Sequence, residues 1–573
     1  MKSDFSRLSF NPAKHFSRVL QQQGRVTLDA DGNEQTAILL HYLQTLARDL
    51  IGPHAGAGDG FVLRNTRGND NLADISIGSG NYYVDGILVE NHASQDNPVT
   101  YKTQPDYPLP EDDVLVASQH TPLTGEVVWL YLDVWERHIS PIDDDSIREV
   151  ALAGIDTCHR AKVVWQIKSM LLPIAPVSLG QMLSRQAQLQ ERKRELETAL
   201  RHLQATRLLR DPVITGAANR AALSADANRD AAGAPAAAAP AAAPAPGATT
   251  APIPADTSTP VTGNTAGIVA DEGLEAILSS LQSALDSAEK ELADLDEQLP
   301  CSVGMNSLQR SNALLAAKID QGKSDPNPCV ISPRAKYRGQ ENHLYRVEIH
   351  QGGKADGTST GASFKWSREN GSVATRWLAS QTDTDSQSYT LQVASSRGFA
   401  AGDWVELLWE ALELTGQPGN LVKLAKVEPG ILTVDASTDS AKLTRPILAR
   451  GAKVRRWDQT DNDQQRLVDG AVVIRESDTR FIDLEDGIQI RFALGGEYRS
   501  GDYWLITARV GVDQIENWPM QSDEPLALSP YGIEHHYAPL GVAHLNSDGN
   551  FEDDLLQLCD CRIEPQARCG RVE

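Results

Sequence analysis

Apolar residues recur along this chain in three registers, and each predicts a different element. From Asn33 onward Ile38, Leu39, Tyr42, Leu43, Leu46 and Leu50 stand at helical spacing, after a short apolar-alternating stretch at residues 25–28. That pattern predicts a strand-to-helix joint with an Asp or Asn cap. Period two takes over elsewhere. ISIGSGNYYVDGILVE sets Asp85-Gly86 between alternating apolar positions, and Asp469-Gly470 and Asp486-Gly487 repeat the device. Around the last, Ile482 and Leu484 precede the turn while Ile488, Ile490 and Phe492 follow it, so the reading is three sheet hairpins.

The third register is the heptad. Met182, Leu189, Leu196 and Leu203 return every seven residues, with a mixed second seam of Leu179, Gln186, Lys193 and Leu200. Leu274, Leu278, Leu281, Leu285, Ala288, Leu292, Leu295 and Leu299 alternate steps of four and three. Two helices of roughly 28–32 residues, about 42–48 Å each, are expected. Their matched lengths favour an antiparallel coiled-coil hairpin, and the same seams serve intermolecular pairing equally well. Between them, residues 211–270 are rich in alanine and proline without apolar periodicity, the composition of an extended linker.

The predicted fold class is multidomain and mainly β, with β-sandwich or small-barrel modules and the α-helical hairpin inserted among them. The expected divisions are an arm, short strand and helix at 1–56, a β-rich domain at 57–177 and the hairpin at 178–300. Further β structure follows at 301–390, a small barrel at 391–450 and a C-terminal β-rich domain at 451–573. FAAGDW at 399–404 and YRSGDY at 498–503 resemble one another, which reused turn chemistry explains more simply than duplication. In the arm, Phe5, Leu8, Phe10, Phe16, Val19 and Leu20 lie among polar residues. Such a segment either packs on its own chain or docks on a neighbour.

Charge narrows the function classes. The 573 residues carry a formal charge of -24 with a pI near 5.0, which argues against a phosphate-backbone binder. No nucleic-acid partner is expected. The first residues lack the apolar core of a signal peptide and no run approaches about 18 apolar residues, so synthesis in the cytoplasm without membrane insertion is expected.

Candidate chemistry is sparse. Asp29, Asp31 and Asn33 occupy positions 1, 3 and 5 of a calcium loop, but Glu34 and Leu40 stand where glycine and the bidentate glutamate belong. Cys559, Cys561 and Cys569, with His535, His536 and His544 upstream, form the candidate zinc set, although their spacing fits no usual pattern. Otherwise no cofactor is expected. Gly357-Thr-Ser359-Thr-Gly361 matches a nucleophile elbow in letters but sits in polar text. Gly322-Lys323-Ser324 resembles the end of a phosphate loop, with Ala317 in place of its first glycine and a stretch before it that reads as helical. The acidic groups Asp143, Asp144, Asp145 and Asp458, Asp461, Asp463 read as solvated turns. Trp129, Trp135, Trp165, Trp366, Trp377, Trp457, Trp504 and Trp518 suit cores or interfaces before sugar platforms.

Several separated stretches, FNPAKHFSRVLQQQGRVTLDADGNEQ, YLDVWERHISPIDDDSIREVAL, DTCHRAKVVWQIK, YRVEIHQGG, FKWSRENGSV, LEDGIQIRFALGGEYRSGDYWLITAR and YGIEHHYAPLGV, together resemble an uncharacterised bacterial family. It is a domain-of-unknown-function family encoded near phage-tail-like contractile injection systems. The resemblance spans the chain outside the Ala/Pro linker and parts of its helices. The family's opening motif reads DADWNE, and Gly32 replaces the tryptophan here, which removes that aromatic as an anchor. The resemblance implies a non-enzymatic structural or adaptor component, assembled with other particle proteins or with itself and released with its particle. It implies no site residues. Two alternatives stand beside it: a tail-fibre component binding a glycan or surface receptor, and a polysaccharide-degrading spike with paired carboxylates.

Overall fold

The computed structural model describes residues 1–563 apart from 69–71, 95, 111, 121–126, 175, 231–264, 309–310, 321–336, 359–360, 383–387, 441–449, 463–464, 523 and 546–547. The described chain is mainly β and divides into two units, Met1–Pro173 with Gly304–Glu573, and Ile174–Val303.

In the first unit the strand Val127–Ile139 pairs along its whole length with Arg160–Leu172 and, on its other edge, with His535–Ala543. VVWLYLDVWERHI reads as a near-continuous apolar run because both faces of this strand are covered. Val128, Leu130, Leu132 and Val134 enter a core with Ile75, Tyr82, Val84, Trp165 and Leu540. Successive strand residues point to opposite faces, so Trp129, Tyr131, Asp133, Trp135 and Arg137 line the other side.

A second core gathers Tyr345, Phe364, Trp366, Phe492 and Trp504 from a five-stranded and a three-stranded sheet. The latter includes Leu315–Ile319, paired with Ile488–Phe492. This corrects the helical reading before Gly322: Ala316 and Ala317 are small because the strand is buried. A third core fills a closed six-stranded barrel. The barrel starts at Ala374–Thr382 and ends at Lys453–Trp457, beyond the expected 391–450, because those two strands pair with each other to close it. The two Gly-Asp turns feed strands of different sheets, Trp404–Leu408 in the barrel and Tyr503–Ala508 beside His343–Gln351.

The helix α1 (Asp29–Ile51) begins four residues before Asn33, and residues 25–28 form no strand. Ser6 explains the early start, since its amide and hydroxyl donate to the Asp29 carboxylate at 2.9 and 2.6 Å. The calcium-like acids are therefore the first turn of a helix, where negative charge is favoured. α1 rests on the hairpin Gly80–Val84 and Ile87–Asn91, whose Asp85 and Gly86 have φ of 49° and 83°, as a two-residue type I′ turn requires. Gly86 abuts the Gln44 carbonyl, where a β-carbon would collide.

Charged side chains are buried where the modules meet. Lys365 lies 3.3 Å from Glu348 and 2.5 Å from Glu406, and Trp457 Nε1 donates to Glu406 at 2.8 Å. Glu348 also receives Arg346 at 2.6 Å and Lys2 at 2.9 Å. Asn370 donates to the carbonyls of Met1 and Ser3, while Phe5 packs near Tyr503. The first residues of the arm thus pack on their own chain. In the acidic run Asp144 and Asp145 are exposed as read, but the Asp143 side chain is buried and straps its loop. Asp143 receives Lys453 at 2.8 Å, and Asp145 receives Arg376 at 2.8 Å, so both acids fasten their loop to the barrel. Asp144 caps the following turn through Ser146. Asp458 pairs with Arg456 at 3.3 Å and Asp461 accepts from the Leu467 amide, while Asp463 lies outside the described residues.

In the second unit the helices Pro176–Asp230 and Thr265–Asp296 run antiparallel, joined by Arg185–Glu291 and Lys193–Glu289 ion pairs, each at 2.9 Å. Leu189, Leu285 and Ala288 are buried. Both helices extend into the expected linker, to Asp230 and from Thr265, because its margins are alanine-rich and the Ala-Pro repeats begin only after Asp230. The remaining linker residues, 231–264, lie outside the described residues.

Candidate functional site

A cleft of about 670 Å3 opens on the polar side of the Val127–Ile139 sheet. Strand register builds its floor. Trp135 lies opposite His535 and their rings stack at 4.7 Å, while Tyr537 lies opposite Asp133. Diagonal neighbours complete it: Asp133 Oδ1 is 2.6 Å from His535 Nδ1, and its Oδ2 accepts from Lys168 Nζ at 2.6 Å. The Lys168 ammonium sits 5.4 Å from the centre of the Trp135 ring. Arg499, in the turn before Tyr503–Ala508, donates to Tyr537 Oη at 2.9 Å.

Burial holds the His535 imidazole below its ordinary range, against the pull of Asp133, so His535 is neutral near pH 7. Burial alone would raise the Asp133 carboxyl, but the His535 hydrogen bond and the Lys168 charge keep it below the usual carboxylate range. Glu413 also faces the cleft, where Lys453 and Arg137 overcome burial and hold it far below the range of a proton donor. Asp133 and Glu413 are thus both held as carboxylates beside paired cations. Asp133 was legible as an acid inside an apolar run, which demands partners. Lys168, Arg499 and Tyr537 carried no comparable signal because they arrive from separate strands.

The structure separates the zinc candidates. His535 and His536 are consecutive strand residues on opposite faces, and His536 Nδ1 lies 2.9 Å from Asp85. Cys559 is in a disulfide, which removes it as a thiolate ligand, while Cys561 is free and exposed. His544 lies 3.7 Å from Glu552. Cys569 lies outside the described residues, as do Ser359 and the Gly322-Lys323-Ser324 stretch. Among the described residues no group of three His, Cys, Asp or Glu side chains is placed to hold a metal ion. Each tryptophan named from the sequence is buried, Trp135 within the cleft wall included.

A second feature is a surface. Only Ala30 and Ile38 of α1 are buried. Leu39, Leu43, Leu46 and Leu50 share one face at steps of four and three, and Leu43, Leu46 and Leu50 are 62%, 56% and 77% exposed. Phe16, Leu20 and Val26 of the preceding segment are exposed as well.

A family model described as a family of unknown function, DUF6519, matches residues 1–237 and 270–572. The chain belongs to DUF6519. The DUF6519 match takes in α1, the three strands beneath the cleft and Arg499, and breaks only within the Ala/Pro segment. No curated protein matches the chain. A solved structure titled "Crystal structure of TssK" is similar at 10% identity with a TM-score of 0.15, over 83% of this chain and 98% of that one. A likeness that slight bears on neither fold nor function. Among the described residues of this DUF6519 member, no helix is long and apolar enough to cross a membrane.

Proposed function

We propose that the protein is a non-enzymatic structural or adaptor component of a phage-tail-like contractile injection particle, docked on a neighbouring particle subunit through the α1 face. The observation that carries this reading is the uncovered leucine stripe. A 23-residue helix with four leucines on one exposed face, next to an exposed apolar segment, is the form of a surface completed by another protein. The resemblance in the sequence supplies the kind of particle. The buried ion pairs around Lys365 and Lys453 support the same reading, because they fix β modules against one another and spend ionisable groups on architecture.

The test is co-purification with sheath-and-tube particles, comparing wild type with Leu43→Glu/Leu46→Glu. Both positions are exposed, so each change should alter folding stability by no more than about 0.5 kcal/mol. The double variant should keep its circular dichroism spectrum and thermal midpoint and lose attachment. Retained attachment would move the docking surface off α1. Failure of wild type to co-purify would remove the particle role itself.

A further inference from the structure

We propose that the cleft binds a hydroxylated monocarboxylate of the sugar-acid class, with its carboxylate held by Arg499. The argument starts from charge. Lys168 is answered by Asp133, and Glu413 is answered by Arg137 and Lys453. His535 donates from Nδ1 to the Asp133 carboxylate and carries no charge near neutrality. Arg499 is left over. Its guanidinium makes a hydrogen bond to Tyr537 Oη and forms no ion pair among the described residues. Asp502 lies close enough to feel its charge but is not paired with it. Tyr537 fixes one end of the planar fork, leaving donors for a carboxylate, the partner whose geometry a guanidinium matches best.

The rest of the lining sets the remainder of the ligand. Lys168, the other cation lining the cleft, is paired with Asp133, so a second negative charge, as on a phosphate, would meet no unpaired cation among the described lining residues. Gln351, Gln417, Thr415 and Ser500 offer amides and hydroxyls. A purely apolar acid would strip these groups of water without replacing their hydrogen bonds, whereas sugar hydroxyls replace them. Tyr131 and Tyr537 give an aromatic edge for the C–H face of a ring. The volume of about 670 Å3 falls within the range of small-ligand sites.

Titration calorimetry of the full chain with glucuronate, glucose and inorganic phosphate tests the proposal. Glucuronate should bind saturably, at least about tenfold more tightly than glucose or phosphate, and Arg499→Gln should weaken it by about tenfold or more. Tyr537→Phe keeps the ring and frees the guanidinium, so it should weaken glucuronate several-fold with an unchanged thermal midpoint, and it stands in if Arg499→Gln does not fold. Absence of glucuronate binding at about 10 mM would overturn the proposal. So would glucose or phosphate binding as well as glucuronate, or binding indifferent to both variants.

Discussion

Replacing Asp502 by Asn should stabilise the protein at neutral pH and lose that benefit in acid. Asp502 is 3% exposed and its Oδ2 has no hydrogen-bond partner, while its backbone is fixed by the Ile349 amide and the Arg499 carbonyl. Burial pushes its carboxyl up from 3.8 to about 6, even though Ser311 and Arg499 pull the other way. A raised carboxylate is a penalty: between those two values the folded state holds the proton more tightly, so stability falls as pH rises through the window. About two pKa units at ~1.36 kcal/mol each give a penalty of roughly 3 kcal/mol above pH 6. Asparagine keeps the shape without the charge, and its unmatched amide costs about 1 kcal/mol at every pH. Differential scanning calorimetry of wild type and Asp502→Asn at about pH 4 and about pH 7.5 separates the two contributions. The variant's midpoint relative to wild type should rise between the two conditions, by less per kcal/mol than the 2–4 °C of a 150–250-residue domain, given the larger unit. A difference that is the same at both pH values would refute the reasoning.

Two further predictions concern paired charges. Lys365→Met leaves Glu348 and Glu406 without their shared cation in a buried site and should cost about 3–5 kcal/mol, partly recovered in Lys365→Met/Glu406→Gln; equal midpoints for the single and double variants would contradict this. His536 is raised above its ordinary range because, although burial is the largest single effect and lowers it, the Asp85 hydrogen bond and the charges of Glu534, Asp85 and Glu136 together outweigh it, and Asp85 is lowered by the same bond. The pair's contribution is therefore complete from above the acid's range up to about pH 6.5 and fades as pH rises through the raised imidazole value, so His536→Gln should lower the midpoint more at about pH 5.5 than at about pH 8.5.

The sequence carried local structure better than it carried partnership. Asp85-Gly86, Asp469-Gly470 and Asp486-Gly487 are all formed with positive φ at both residues, because a two-residue hairpin turn is decided within a few residues. The mainly β class followed from the same local rules. The cleft was not legible, since Asp133, Lys168 and His535 are brought together by strand pairings across some four hundred residues and Arg499 reaches Tyr537 from a turn, so that even Asp133, an acid in an apolar run, does not name its partners. Asp143 misled for a related reason: it is indistinguishable from its solvated neighbours Asp144 and Asp145 until Lys453 and Arg137 arrive from the barrel and the neighbouring strand.

The exposed stripe of α1 differs in kind and bears on function. Helical periodicity states that one face avoids water, and it says nothing about which molecule supplies the cover. Within the chain, α1 is positioned by Gly86 against Gln44, by buried Ile38 and by Ser6 at its first turn, contacts that leave the leucine face open. Had the stripe been mere surface, polar residues would serve equally well at Leu39, Leu43, Leu46 and Leu50. A helix with only Ala30 and Ile38 buried and its leucines outward is the arrangement on which the proposed docking rests. The same conclusion separates the two ends of the N-terminal segment. Residues near Lys2 and Phe5 belong to the chain's own packing, whereas Phe16, Leu20 and Val26 share the exposure of the α1 face. On the proposed docking role, residues 16–50 form the docking surface, and removal of the first residues acts on folding through Glu348 before it acts on assembly.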